Sequence, residues 1–216
     1  MCIRDRVCIF DGRGREAAAT IEAIERDAVH LTMEAAAAVD RESPLAVTLA
    51  IAVSRGDRMD TVVQKATELG AARIRPLLSE RTGVRLDARR WGKKLEHWKR
   101  IAISACEQCG RNVAPTVDAP AAIADYLAEC RAVDTSVSEE LRLLLHPGER
   151  SSALPEQCSA VTLLIGPEGG FSDDEIDTAS SAGFLCMQLG PRVLRTETAP
   201  LAALSLLQAR WGDLRV

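Results

Sequence analysis

Aromatic residues are scarce in this chain of 216: three Trp, three Phe and one Tyr. The core must be built from Ala, Leu, Val and Ile. Lysine is scarcer still than arginine, with four lysines against 23 arginines. No run of about 18 apolar residues occurs, so no membrane helix is expected. No G-x-x-x-x-G-K-[S/T] and no G-x-G-x-x-G is present, which argues against a triphosphate P-loop and a dinucleotide fold. Hydrophobic residues at 47% and charged residues at 27% exclude long disorder as the main state. The length fits one large domain or two small ones.

Seven cysteines, an odd and scattered set, read as reduced thiols in a cytoplasm. Cys106-x-x-Cys109 has no second pair and no His at ligand spacing, so a zinc site is not expected and helix packing is the favoured reading. Met1-Cys2-Ile3-Arg4-Asp5-Arg6 is too short and too charged for a signal peptide. It joins abruptly to a strand-like Val7–Phe10, and residues 1–6 are read as foreign to the domain.

Residues 7–39 look β-like. Val7–Phe10 is followed by an Asp11-Gly12-Arg13-Gly14 turn and by alternating stretches at Ala18–Ile24 and Val29–Met33, as in part of a small barrel. Asp40–Pro44 reads as a linker. From Leu45 the pattern alternates. Strands are expected at Val47–Val53, Ala72–Leu78, Leu141–Leu145, Val161–Ile165 and Phe184–Leu189. Helices are expected at Asp60–Leu69, Ala88–Cys109, Ala119–Cys130, Ser172–Ala182 and Thr198–Trp211. The first should end on Gly70, and the fourth opens with a Ser172/Glu175 capping box. This order predicts an α/β domain with a largely parallel sheet. The stripe Leu201, Leu204, Leu207 and Trp211 suits either a core or an interface.

The net charge of −4 hides an asymmetry. Residues 73–111 hold eleven basic and four acidic side chains, a net +7, which leaves −11 for the rest. Arginine grips phosphate with two donors and stacks on bases. The alternative is a solvated helix face rich in arginine.

Two loops stand out. Leu163-Leu164-Ile165-Gly166-Pro167-Glu168-Gly169-Gly170-Phe171-Ser172 is a strand, a glycine turn and a capped helix start. Ligands of open α/β sheets bind beyond the carboxyl ends of strands, where glycine lets them approach the backbone. Glu168 suits a cationic or hydroxylated ligand better than a phosphate. One strand later comes Leu189-Gly190-Pro191-Arg192-Val193-Leu194-Arg195-Thr196-Glu197-Thr198-Ala199. Both are also acceptable as ordinary strand-to-helix connections.

Together these segments resemble the signature loops of the SPOUT-class ribosomal RNA methyltransferases, most closely the family that methylates N3 of a uridine in 16S rRNA. Gln64–Gly70 and Glu107–Arg111 resemble further blocks of that family, so the likeness runs in order over residues 7–216. The resemblance implies a SPOUT-type parallel sheet with a C-terminal deep trefoil knot over residues 43–216. It also implies a partial PUA-like β-barrel, an RNA-binding remnant, over residues 1–42. A homodimer is implied, acting on 16S rRNA or the small ribosomal subunit, with S-adenosylmethionine as cofactor and no metal. Ile165, Gly166, Glu168, Gly169, Gly170, Leu189, Gly190, Leu194 and Thr196 would line the cofactor pocket. The family's barrel starts well before this chain does, so RNA docking is expected to be weakened.

Uridine N3 is a weak acid whose lone pair is free only after deprotonation. Arg195 can stabilise charge developing on a uracil oxygen, and Arg192 can do the same or hold a phosphate. Glu197 is a candidate base, or else a partner of Arg195 in a buried salt bridge. His146, at a strand end, is more often structural in such a place. Arg81, Arg85, Arg89, Arg90, Lys93 and Arg111 are the candidate RNA contacts. The competing readings are a non-catalytic RNA- or ribosome-binding protein that kept the fold, and a nucleotide-binding enzyme of small metabolites.

Overall fold

Short alternating strands open the chain. In a computed structural model, which describes residues 2–84, 86–132, 140–147 and 154–215, the strands are β1 (Arg6–Phe10), β2 (Arg15–Ile24), β3 (Val29–Met33) and β4 (Ala37–Ala38). They pair antiparallel in one sheet, in the order β1-β2-β3 with β4 also on β2. Ala17, Ala19 and Ile21 of β2 turn inward and are buried. Leu31 and Met33 lie opposite Ile21 and Ala19 in register yet stay exposed. Arg4 donates to the Ile21 carbonyl and Ile21 donates to that of Asp5, so the end of the opening hexapeptide continues the pairing. Strand β4 falls in an alanine run with weak β propensity, and pairing against Arg15 and Glu16 supplies what the sequence pattern does not.

After the connector at 40–45 the chain alternates: β5 (Ala46–Ala52), α1 (Arg58–Glu68), β6 (Ala71–Leu78), α2 (Ala88–Cys109), β7 (Thr116–Val117), β8 (Ala121–Ala122), α3 (Ile123–Ala132), β9 (Glu140–Leu145), β10 (Ala160–Ile165), α4 (Asp173–Ser181), β11 (Leu185–Met187) and α5 (Thr198–Trp211). The strands form a parallel sheet in the order β11-β9-β10-β5-β6-β7, with β8 on β6. Parallel neighbours need crossovers, and the helices of those crossovers cover both faces. Val47, Leu49 and Ile51 pack with α1, α2 and α5, while Ala50 between them faces α3 and α4. This is the α/β class and parallel sheet that the alternation predicts.

Helix ends follow local chemistry. Asp87 caps α2 by accepting from the Arg90 amide at 2.8 Å. The capping box is present in both directions: Ser172 Oγ accepts from Glu175 N, and Glu175 accepts from Ser172 N. Trp98 is fully buried, and its indole N–H donates to Asp60 across the α1–α2 contact. Leu204 and Leu207 of the α5 stripe are core residues, whereas Leu206 faces outward.

The helix expected from Ala119 begins at Ile123, because Ala121 and Ala122 are captured by the edge of β6 opposite Leu77 and Leu78. The last strand is only Leu185–Met187. Phe184 turns into the core instead, and Leu189 enters the following loop. Cys106 is buried in the last turns of α2, where desolvation pushes its thiol up to about 11. That fits packing and not reactivity.

One expectation is overturned. Arg111 does not face a phosphate backbone; it is 7% exposed. Its guanidinium donates to the carbonyls of Thr67 (2.7 Å) and Ala71 (3.0 Å), and it pairs with Glu42. The charge closes the C-terminal end of α1, where a cation is favoured. Next to it, Asn112 donates to Glu16 and to the Val39 carbonyl and joins the two sheets.

Glu16 is a second junction. The Arg41 guanidinium holds its carboxyl below the ordinary range; desolvation opposes this and the Asn112 amide adds to it. A carboxyl lowered in the folded state contributes stability above its unfolded pKa and loses that stability as pH falls through the folded value. The protection factors of the β2 amides, taken against intrinsic exchange at each pH, should therefore fall as pH drops below the carboxylate range. Arg41→Ala should flatten that dependence; an unchanged pH profile in the variant would contradict the assignment.

Candidate functional site

Because the strands are parallel, β5, β6, β9, β10 and β11 all end at one edge of the sheet. The segments 53–57, 79–84, 146–147, 166–172 and 188–197 leave from that edge, the usual ligand side of such sheets. A cleft of about 790 Å³ opens between them. Ile165, Gly166, Glu168, Gly169, Gly170, Leu189, Gly190, Leu194 and Thr196 all line it, as do Arg192, Arg195 and Glu197. The two glycine loops, separate in sequence, are thus two walls of one cavity.

Local geometry explains the glycines. Gly190 sits at φ +72°, a left-handed conformation that side chains resist. Gly166 is different: a Cβ there would lie 3.2 Å from the Phe171 ring, which is itself buried. Gly166→Ala should push that ring toward the cleft and weaken ligand binding at least severalfold with only a small loss of melting temperature. Equal affinity in a titration would contradict the close-packing account. The second loop leads into α5, whose first amides, Thr198 N and Ala199 N, both donate to the Arg195 carbonyl at 2.9 Å. The Arg195 backbone is fixed while its side chain is exposed, and Thr196 beside it is buried.

The charges are arranged around a residue that sequence reasoning missed. Arg58, the first residue of α1, donates to Glu168 at 2.6 Å and lies 3.7 Å from Glu197. The alternative role offered for Glu197, a buried bridge to Arg195, is therefore corrected: its ion-pair partner is Arg58, and its side chain is 26% exposed. Partial burial works against ionisation of Glu168, but hydrogen bonds from its own amide, from Arg58 and from the Arg55 backbone outweigh it, and the carboxyl lies below its ordinary range. A signal for Arg58 was available: it follows the carboxyl end of a buried parallel strand, the same rule that picked out the glycine loops.

His146 and Pro147 complete the wall after β9. The buried Nδ1 of His146 has no hydrogen-bond partner among the described residues. Buried polar atoms are nearly always partnered, so a bound group is a natural source of that partner. The side of the cleft toward β6 is closed by Arg81, which donates to the carbonyls of Gly169 (3.0 Å) and Phe171 (3.2 Å). Arg81 thus braces the first loop as well as carrying charge to the rim.

Arg89, Arg90 and Lys93 are exposed on the first turns of α2, which starts at the same edge of the sheet. Arg90 also lies 3.5 Å from Asp87. Arg85 lies outside the described residues. Arg111 is at the far end of α2 and buried, as described above. Among the described residues no group of three or more His, Cys, Asp or Glu is placed to hold a metal, and no helix is long and apolar enough to cross a membrane.

Comparisons with known proteins agree with this geometry. The family model of an RNA methyltransferase domain matches residues 41–208. Ribosomal RNA small subunit methyltransferase E of Bacillus subtilis is 34% identical over 98% of this chain and 84% of its own length. The protein of that name from Buchnera aphidicola of Schizaphis graminum is 40% identical over 80% of this chain and 69% of its own. Among solved structures, a Legionella pneumophila protein in complex with the bound cofactor SAM superposes with a TM-score of 0.91 at 44% identity, covering 99% of this chain and 86% of that one. The small subunit methyltransferase E of Neisseria gonorrhoeae, bound to S-adenosylmethionine, superposes with a TM-score of 0.88 at 37% identity, covering 100% and 87%. The chain belongs to the RNA methyltransferase family that includes ribosomal RNA small subunit methyltransferase E.

Proposed function

We propose that this protein transfers a methyl group from S-adenosylmethionine to N3 of a uridine in 16S rRNA. The observation that carries the reading is the convergence of both glycine loops, Arg192 and Arg195 on one cleft. Family membership supports the substrate class, and relatives solved with the cofactor support the donor.

The residues fit that donor. Leu145, Ile165, Phe171, Leu189 and Leu194 offer apolar surface for an adenine ring. Glu168 offers an ionised carboxylate to hydroxyls or to a cationic centre. The unpartnered His146 Nδ1 offers one more polar contact. When bound, S-adenosylmethionine supplies an electrophilic methyl carbon on a sulfonium.

The remaining chemistry belongs to the chain. Arg195 directs its guanidinium at a uracil oxygen and stabilises the negative charge that grows as N3 loses its proton. Arg192 holds the flanking phosphate or shares that charge. Glu197, kept near by Arg58, accepts the N3 proton. Held between the two glycine loops, the cofactor would give its methyl carbon to N3, the pair of the broken C–S bond leaving with sulfur. Arg81, Arg89, Arg90 and Lys93 lead the RNA backbone toward the cleft, while Arg111 is excluded by its burial.

In this reading residues 1–42 belong to a PUA-like RNA-binding unit and residues 43–216 are the knotted SPOUT domain. Two copies form a cytoplasmic homodimer; the exposed Val193 and Leu206 are consistent with an apolar contact between copies. The direct test is labelled methyl transfer to small-subunit RNA, followed by mapping of the modified base. Label on uridine N3 is the expected result. Label on another base or on ribose would contradict the assignment, as would no transfer by protein shown to bind the cofactor.

A further inference from the structure

We infer that Arg58 is a positioning residue: one guanidinium ties the first glycine loop at Glu168 to the second glycine loop at Glu197 and sets their alignment. The inference rests on the proposed methyl-transfer reading and adds to it a residue outside both glycine loops.

Three observations support it. First, Arg58 lines the cleft and reaches both loops, with Nη1 2.6 Å from Glu168 and Nε 3.7 Å from Glu197. Second, its base is rigid. Met59, Val62, Val63 and Ala66 of α1 are fully buried in the main core, and Arg111 closes the other end of the helix at Thr67. Third, Glu168 and Glu197 line the same cleft, and among the described residues Arg58 is the cation that ion-pairs with both.

An exposed ion pair between two loose side chains contributes little. Arg58 differs because its backbone is anchored and its fork of five donors can serve two acceptors at once. Lysine has a single charged point and cannot span both loops. The role is therefore specific to arginine and separates binding from turnover. Glu168 belongs to the cofactor wall, whereas Glu197, on a loop that also lines the cofactor pocket, is the carboxylate read as meeting the uracil.

The test uses the whole chain and S-adenosylhomocysteine, the demethylated product, as calorimetric probe, alongside steady-state kinetics. Arg58→Ala should weaken product binding by about tenfold and lower kcat as well, without a matching loss of melting temperature. Adding Glu168→Gln to Arg58→Ala should cost less affinity than Glu168→Gln costs alone, since the link the two residues share is already lost. Arg58→Lys should restore most of the affinity but not kcat. Unchanged affinity and kcat in Arg58→Ala would overturn the inference, as would fully additive losses in the double variant. Failure of the unsubstituted protein to bind the probe would instead defeat the cofactor reading beneath it.

Discussion

Arg195→Ala lowers kcat by about 10²- to 10³-fold, the range seen when one preorganised donor to a developing anion is removed. Affinity for S-adenosylmethionine changes by no more than a few fold. The Arg195 carbonyl accepts from Thr198 N and Ala199 N and so fixes the residue at the start of α5. Thr196 turns inward and is buried, whereas the Arg195 side chain is exposed in the cleft. A side chain placed this way meets an incoming base more directly than a ligand held by the glycine walls. Steady-state kinetics and calorimetry on the same preparation read the two quantities apart. A parallel loss of kcat and affinity would make Arg195 a cofactor contact.

The second large effect is on stability. Arg111→Ala should cost about 3–5 kcal/mol, the usual range for breaking a buried ion pair on one side. The loss exceeds that of a surface arginine because three acceptors lose their donor together. These are the Thr67 and Ala71 carbonyls and the Glu42 carboxylate, which link the end of α1, the start of β6 and the connector between the sheets. Denaturant unfolding of the variant measures it, and Arg111→Lys should recover only part, since one ammonium cannot serve all three. A loss below about 1 kcal/mol would return Arg111 to the surface arginines.

Much of the architecture was legible in the sequence, and its physical basis explains where legibility stopped. Val47–Val53 reads as a buried parallel strand because it is apolar on both faces, and that signal survives any tertiary context. The Ala88–Cys109 helix carries its own boundaries, an Asp87 cap and a Gly110 stop. Strands β4, β7 and β8 have two residues each and exist through pairing with a neighbour, which no local pattern encodes. The same division runs through the site. Glycine loops at strand ends announce themselves, whereas Arg58 and Arg81 act by reaching across the cleft to Glu168, Glu197 and the carbonyls of Gly169 and Phe171. Arg111 shows the converse: it counted toward the +7 of residues 73–111, yet its charge is consumed within the protein. Surface charge along α2 is therefore smaller than the linear sum.

We propose the cleft at the carboxyl ends of β9, β10 and β11 as a cofactor site. Calorimetric titration of the whole chain with S-adenosylmethionine tests it most directly. Saturable binding of one molecule per chain is expected, weakened by Gly166→Ala and largely indifferent to Arg195→Ala. No heat of binding from folded protein at high concentration, or binding untouched by Gly166→Ala, would contradict it.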